Sequence, residues 1–158
     1  MKTPAPKTIT LLLAEDDPDD RMLVRQALEK CRIANNLMVV EDGEDLMDYL
    51  HRRGRYADPK DSPRPGLILL DLNMPRKDGR EALREIKSDH RLRDIPIIIL
   101  TTSKTDEDVV RSYNLGVNSY IAKPVTFSAL VGIMQAIGKY WFKIVELPTR
   151  HNDSVPQG

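Results

Sequence analysis

The sequence predicts an open α/β sandwich of three layers, in which helices cover both faces of a parallel β-sheet. Five short apolar segments recur along the 158 residues, and each is followed by a polar segment compatible with a helix. Three of these segments are continuously apolar rather than alternating, which is typical of strands buried on both faces. Repeated strand–helix units of this kind are joined by right-handed crossovers.

Each predicted strand is a short apolar run followed by a polar segment, and the first, third and fourth runs are rich in leucine and isoleucine. In chain order the runs are ITLLLA (9–14), LMVVE (37–41), GLILLD (66–71), IPIIILT (95–101) and NSYIAK (118–123). The first, third and fourth are the uninterrupted ones, so we expect these strands to be covered on both sides.

Apolar side chains recur with helical spacing in several of the intervening segments. The stripes are Met22, Leu23, Ala27, Leu28 and Cys31 in 19–31; Leu46, Met47 and Leu50 in 43–53; Val109, Val110 and Tyr113 in 106–115; and Leu130, Ile133, Met134, Ile137 and Trp141 near the end. Residues 54–66 contain three prolines and are predicted to form a long surface connection.

The composition is that of one ordinary folded domain and excludes several classes of function. Apolar residues make up 41% and charged residues 30% of the chain. The 24 basic side chains balance the 24 acidic ones, so the net charge indicates no attraction to nucleic acid or to a membrane surface. No run approaches the ~18 apolar residues of a membrane span, and the single Cys31 fits a reducing compartment. We therefore expect a cytoplasmic protein.

Carboxylates follow two of the predicted strands where each strand ends. The first strand runs into Glu15, Asp16 and Asp17, and the third ends in Asp71. Ligands of open parallel sheets bind beyond the carboxyl ends of the strands. If these strands are neighbours, at least three carboxylates meet there, and like charges ~4 Å apart repel by about 4 kcal/mol at an effective dielectric constant near 20. A divalent cation resolves the repulsion, and Mg²⁺ suits such a site.

Two further strand ends bring polar groups to the same edge of the sheet. The fourth strand ends at Thr101, and the fifth ends at Lys123, whose ammonium group can hold a phosphoryl oxygen. A phosphoryl group on Asp71 fits these parts, because the carboxylate can attack an activated phosphorus while the cation and the lysine neutralise developing charge. Taken singly, Asp16 or Asp17 could equally be a helix N-cap.

The motifs LLLAEDD, LILLDLNMPRKDG, IIILTTS and YIAKP, in that order, resemble those of receiver domains of two-component response regulators. The resemblance covers about residues 8–145, and the intervals of 30 residues from Asp71 to Thr101 and 22 from Thr101 to Lys123 are typical of the family. It implies a flavodoxin-like (βα)5 sandwich whose five-stranded parallel sheet has the order 2-1-3-4-5. It also implies a protein that catalyses only its own phosphorylation and dephosphorylation.

The family pattern implies a role for each matching position. Asp71 becomes the phosphoacceptor, assisted by Thr101 and Lys123, with Thr101 as the switch hydroxyl and Tyr120 as the switch aromatic residue. The implied ligands of Mg²⁺ or Mn²⁺ are Glu15, Asp16, Asp71 and the backbone carbonyl of Asn73. Glu15 stands where aspartate is common in the family, which suggests an indirect contact with the metal.

More narrowly, LILLDLNMPRKDGREAL, IPIIILTTSKTDEDV, SYNLGVNSYIAKP and YWFKIVELP resemble the small regulators that pair with phytochrome histidine kinases. This implies a phytochrome kinase as partner and a homodimer.

We expect an N-terminal extension (1–7), a receiver domain (8–148) and a disordered tail (149–158), without an output domain. Signals would then leave through the receiver's own surface. Trp141 and Phe142 are candidates for a docking or dimer contact, or for side chains that cover the end of the core.

Three other functions are rivals to that of a response regulator. An aspartyl-phosphate hydrolase would have a second aspartate two residues after its nucleophile, where this chain has Asn73. A module whose acids only hold a cation would not become phosphorylated. A phosphorelay intermediate would pass its phosphoryl group on to a histidine phosphotransfer protein, and it uses the same site as a terminal switch.

Overall fold

The computed structural model describes residues 9–31, 35–72, 74, 76, 78–101, 119–122 and 126–139. Side chains are left out of this description at Ile9, Asn35, Thr101 and 119–122. Two compact units make up the chain, Met1–Met22 with Ala34–Lys123 and Leu23–Ile33 with Pro124–Gly158. The helix predicted at 106–115 lies outside the described residues.

Five parallel strands form one sheet. They are β1 (Ile9–Ala14), β2 (Asn35–Val40), β3 (Leu67–Asp71), β4 (Ile97–Thr101) and β5 (Ser119–Ala122). The order across the sheet is β2-β1-β3-β4-β5. The predicted strands and their order are therefore confirmed, with bounds that differ by at most two residues.

Within the described residues, helices follow β1, β2, β3 and β5, as the predicted fold class requires. They are α1 (Pro18–Cys31), α2 (Gly43–His51), α3 (Gly79–Ser88) and a C-terminal helix at residues 127–139. No apolar stripe was predicted for α3, which buries Ala82, Leu83 and Ile86. None of the described helices has the length and apolar character needed to cross a bilayer.

The apolar stripe predicted for α1 is wrong at its start. Val24, Ala27 and Leu28 are buried, whereas Met22 is 58% and Leu23 39% exposed. At 3.6 residues per turn, positions 24, 27 and 28 share one helix face, and positions 22 and 23 lie off that face. The prediction included Met22 and Leu23 but left out Val24, which shares the buried face with Ala27 and Leu28.

The main core lies between one face of the sheet and helices α2 and α3. It includes Leu12, Ala14, Ile68, Leu70, Ile97 and Ile99 from the strands, with Leu46, Met47, Ala82, Leu83 and Ile86 from the helices. Alternate strand residues Leu11, Leu13, Leu67, Leu69, Ile98 and Leu100 are also buried. Both sets of strand side chains are thus buried, as the continuous apolar runs predicted.

The 54–66 segment is more than the surface connection that its prolines predicted. Tyr56 and Ser62 are buried. The Ser62 hydroxyl donates a hydrogen bond to the Tyr56 carbonyl at 2.8 Å. The Tyr56 ring lies 5.1 Å from the ring of Tyr49 in α2, in an edge-on arrangement. Aromatic and hydroxyl side chains therefore fix this irregular segment, which proline content alone could not indicate.

Candidate functional site

Two strand ends bring carboxylates together at the carboxyl edge of the sheet. Ala14 of β1 pairs with Leu70 of β3, so the next residues, Glu15 after β1 and Asp71 at the end of β3, lie side by side at the carboxyl edge of the sheet. The backbone N–H of Glu15 donates to the Val40 carbonyl at 3.0 Å, which extends the pairing of β1 with β2 by one residue. Strand register therefore places these two acids.

Glu15, Asp16 and Asp71 form one acidic cluster. Each offers a carboxylate oxygen that lies within 4.8 Å of the oxygens offered by the other two. Glu15 is 2% and Asp71 4% exposed, whereas Asp16 is exposed. Buried carboxylates at this distance repel strongly unless a cation compensates them. Oxygen donors with one open side match the preference of Mg²⁺ and Mn²⁺, so the donor set fits the predicted cation.

Arg21 supports this cluster from the backbone side, a contact that the sequence analysis missed. One of its guanidinium nitrogens, Nη1, donates to the carbonyl oxygens of both Glu15 and Asp16, each at 3.0 Å. The other, Nη2, lies 3.5 Å from Glu41 Oε1. Arg21 thus fixes the turn between β1 and α1 that carries two of the three carboxylates. A lone basic residue after the acidic stretch EDDPDD was the available signal.

The next acids serve α1 rather than the cluster. The Asp17 carboxylate accepts a hydrogen bond from the Asp19 N–H at 2.8 Å, which is the behaviour of a helix cap. Asp19 and Asp20 lie in the first turn of the helix, where negative charge is favoured. The capping interpretation therefore holds for Asp17, whereas Asp16 belongs to the acidic cluster.

Gly79, the first residue of α3, sits directly against the backbone that follows Asp71. Its N–H donates to the Leu72 carbonyl at 3.1 Å. A Cβ atom at this position would lie 2.5 Å from the Asp71 carbonyl oxygen and 2.7 Å from the Leu72 Cα. Asp78 caps the helix by accepting from the Arg80 N–H at 2.7 Å. The close approach of α3 to β3 therefore requires glycine here.

Arg76 ties the loop after β3 to the start of α2. Its backbone is left-handed, with φ 62°. Its guanidinium lies 3.6 Å from Asp42 Oδ2 and 3.6 Å from Glu44 Oε2. Asp42 is also the cap of α2, where it accepts from the Asp45 N–H at 2.7 Å. Arg76 therefore forms ion pairs with the cap and the first turn of α2.

The remaining predicted site residues are described only in part. Thr101 ends β4 and follows Leu100, the partner of Asp71 in the sheet, and the backbone of Tyr120 pairs with Ile99. The side chains of Thr101 and Tyr120 lie outside the described part of the chain. Asn73, Lys123, Trp141 and Phe142 lie outside the described residues altogether.

A five-stranded parallel sheet in this order, with buried acids at its carboxyl edge, defines a class of protein. The chain belongs to the response regulator receiver domain family, which matches residues 11–135. The flavodoxin-like fold and the family membership predicted from the sequence are confirmed.

Its relatives include phytochrome-associated regulators. Response regulator Rcp1 of Synechocystis sp. is 44% identical over 143 residues, which cover 90% of this chain and 94% of the relative. The solved structure of the phosphorylated cyanobacterial phytochrome response regulator RcpA superposes with a TM-score of 0.79 at 42% identity, over 86% of this chain and 95% of that one. The Mn²⁺-bound form of Rcp1 superposes with a TM-score of 0.76 at 43% identity, over 84% and 94%.

Proposed function

We propose that this response regulator accepts a phosphoryl group on Asp71 from a sensor histidine kinase, and that the kinase is a phytochrome. The observation that carries the proposal is the buried Asp71, which lies within 4.8 Å of two other carboxylates at the carboxyl edge of the sheet. Similarity to RcpA, whose phosphorylated form has been solved, and to Rcp1 supports both the acceptor role and the kind of kinase.

In the proposed reaction, a carboxylate oxygen of Asp71 attacks the phosphorus of a phosphohistidine. The new O–P bond forms as the P–N bond breaks, and the departing imidazole takes up a proton. Glu15, Asp16, Asp71 and the backbone carbonyl of Asn73 would hold Mg²⁺, with Glu15 in indirect contact. When bound, Mg²⁺ neutralises charge on the transferred oxygens. Rcp1 has been solved with Mn²⁺, which supports a divalent cation here.

The remaining roles concern the response to phosphorylation. The acyl phosphate adds roughly −1.5 to −2 charges. Lys123 would pair with a phosphoryl oxygen, and the Thr101 hydroxyl would donate to another. Thr101 follows the sheet partner of Asp71, which supports its part in sensing the new group. Tyr120 would then change its position, and the protein would signal through a change of its own surface.

We expect the protein to act in the cytoplasm as a homodimer, without direct binding to nucleic acid or to a membrane. Trp141 and Phe142 are the proposed dimer contact, since aromatic side chains concentrate binding energy at interfaces. Sedimentation velocity at micromolar concentration should show a dimer, and Trp141→Ala with Phe142→Ala should shift it to a monomer. A wild-type monomer with and without a phosphoryl donor would contradict this expectation.

Phosphotransfer from a purified kinase tests the proposed function. A phytochrome histidine kinase is first labelled with radioactive phosphate, separated from nucleotide, and mixed with regulator and Mg²⁺. Label should move to the wild type and to Asp61→Asn, which changes an exposed carboxylate in the 54–66 segment. It should not move to Asp71→Asn. Equal labelling of Asp71→Asn would reject Asp71 as the acceptor, and transfer from unrelated kinases only would reject the phytochrome partner.

A further inference from the structure

A cavity of about 210 Å³ opens at the amino end of the sheet. Its walls come from the end of α2 (residues 49–52), the segment that leads into β3 (62–65), and the segment that leads into β4 (89–95). Strand β3 runs from Leu67, near this cavity, to Asp71 at the opposite edge. The cavity is therefore separate from the acidic cluster, and the proposed phosphotransfer does not use it.

The inner wall of the cavity is apolar. Pro65, Leu92 and Ile95 line it and are buried, with Ile95 only 2% exposed. Tyr49 also lines it, and its hydroxyl already donates to the Pro63 carbonyl at 2.7 Å. The wall therefore offers apolar surface that could cover a small hydrocarbon body.

Three arginines, Arg52, Arg64 and Arg91, also line the cavity. Two of them are held by backbone carbonyls: Arg52 Nε donates to Ser62 at 3.3 Å, and Arg64 Nη1 donates to Arg91 at 2.7 Å. A guanidinium group carries five N–H donors, so each of these two keeps donors beyond its bond to the carbonyl. The carbonyls hold both cations at the cavity while leaving them able to bind an anion.

The local charges do not cancel. Asp89 is the carboxylate of the lining, and its Oδ1 lies 3.7 Å from Arg91 Nε. A hydrogen bond from the Arg91 N–H lowers the pKa of Asp89, which keeps it ionised beside that arginine. His51 Nδ1 is 4.0 Å from the same carboxylate. Within the described residues, neither Arg52 nor Arg64 has a carboxylate oxygen within 4.0 Å, so two positive charges are left.

We propose that this cavity binds a small organic anion whose phosphate, phosphonate or carboxylate group is held by Arg52 and Arg64. Its apolar body would rest on Pro65, Leu92 and Ile95. Guanidinium forks match the geometry of such oxyanions and bind them by charge-assisted hydrogen bonds. A water molecule occupies ~30 Å³ in the liquid, so the cavity has room for a body about the size of one six-membered ring.

Titration with phenylphosphonate in buffer freed of metal by a chelating resin tests the site, because divalent cations are then absent from the acidic cluster and no soluble chelator competes for the arginines. Amide NMR shifts should saturate and should concentrate at residues 49–52, at Ser62 and Arg64, and at residues 89–95. Inorganic phosphate has the charge without the ring, and phenol has the ring without the charge. Both should bind at least tenfold more weakly. Saturable shifts confined to the acidic edge, or equal affinity for phosphate and phenylphosphonate, would overturn the proposal.

Substitutions of Arg52 and Arg64 test whether these two side chains hold the anion. Arg52→Gln and Arg64→Gln should each weaken phenylphosphonate about tenfold, which is about 1.4 kcal/mol. Arg53→Gln is the matched control, because Arg53 adjoins Arg52 but pairs with Asp48, its Nε lying 3.2 Å from the carboxylate. The control should bind like the wild type. Unchanged affinity in both lining variants, with their amide spectra otherwise native, would contradict the assignment.

Discussion

Arg21 shows how a single side chain organises the acidic edge. Its guanidinium donates to the carbonyls of Glu15 and Asp16 and lies beside Glu41. One cation therefore contacts two backbone carbonyls and one side-chain carboxylate. Hydrogen bonds from a charged donor are about twice as strong as neutral ones. We infer that the β1–α1 turn depends on Arg21 for its geometry.

Replacing this side chain should therefore lower stability. Arg21→Ala removes both charge-assisted bonds, and we expect the free energy of unfolding to fall by about 2 kcal/mol. Arg25→Ala, one turn along the same helix at an exposed position, should change it by less than about 0.5 kcal/mol. Urea unfolding followed by circular dichroism measures both. Equal losses in the two variants would show that Arg21 is an ordinary surface residue.

The acidic residues were predicted from the sequence, whereas the role of Arg21 was not. Glu15, Asp16 and Asp71 stand at the ends of apolar runs, and the topology of a parallel sheet gathers such ends at one edge. Arg21 reaches back from the helix to carbonyls five and six residues earlier. That contact depends on where α1 starts and on the rotamer of Arg21. Hydrophobic periodicity carries no information about either.

Helix α3 illustrates how a local backbone contact places an element. It begins where Asp78 caps it and Gly79 meets the Asp71–Leu72 backbone. Gly79 lies in the motif LILLDLNMPRKDG, but the sequence alone predicted no role for it, because the need for glycine arises only when β3 and α3 are close. In the same way, α1 was predicted as a helix while its buried face was misassigned at Met22 and Leu23.

Gly79→Ala should disturb both the helix and the site. The added Cβ would meet backbone atoms 2.5 and 2.7 Å away, and backbone cannot give way as a flexible side chain can. We expect a loss of about 1–3 kcal/mol in the free energy of unfolding, together with weaker phosphorylation of Asp71, because that residue's carbonyl must move.

Gly132→Ala is the control for this substitution. Gly132 lies in the C-terminal helix, and a Cβ there meets nothing within 4 Å. The alanine should stabilise the helix by up to about 1 kcal/mol and leave phosphorylation unchanged. Thermal unfolding and acceptor labelling distinguish the two variants. Gly79→Ala with native stability and labelling would contradict the proposed close approach.

Across the whole sheet, the apolar pattern predicted the class of fold and the strands within two residues. The apolar pattern did not predict the order of the strands, because apolar runs do not indicate which strands are neighbours. That order entered through the family resemblance, and the structure confirms it. It is the order that matters for the site, because β1 and β3 must be adjacent for Glu15 and Asp71 to meet.

The mass of the intact protein after incubation with acetyl phosphate tests the central claim most directly, since it needs no partner. With Mg²⁺, the wild type should transfer the phosphoryl group to Asp71, release acetate and gain about 80 Da, the mass of the added PO₃H. Asp71→Asn should gain nothing, and neither should the wild type in EDTA. An unmodified wild type with Mg²⁺, or the same gain in Asp71→Asn, would contradict the claim that the acidic cluster and its cation prepare Asp71 for phosphorylation.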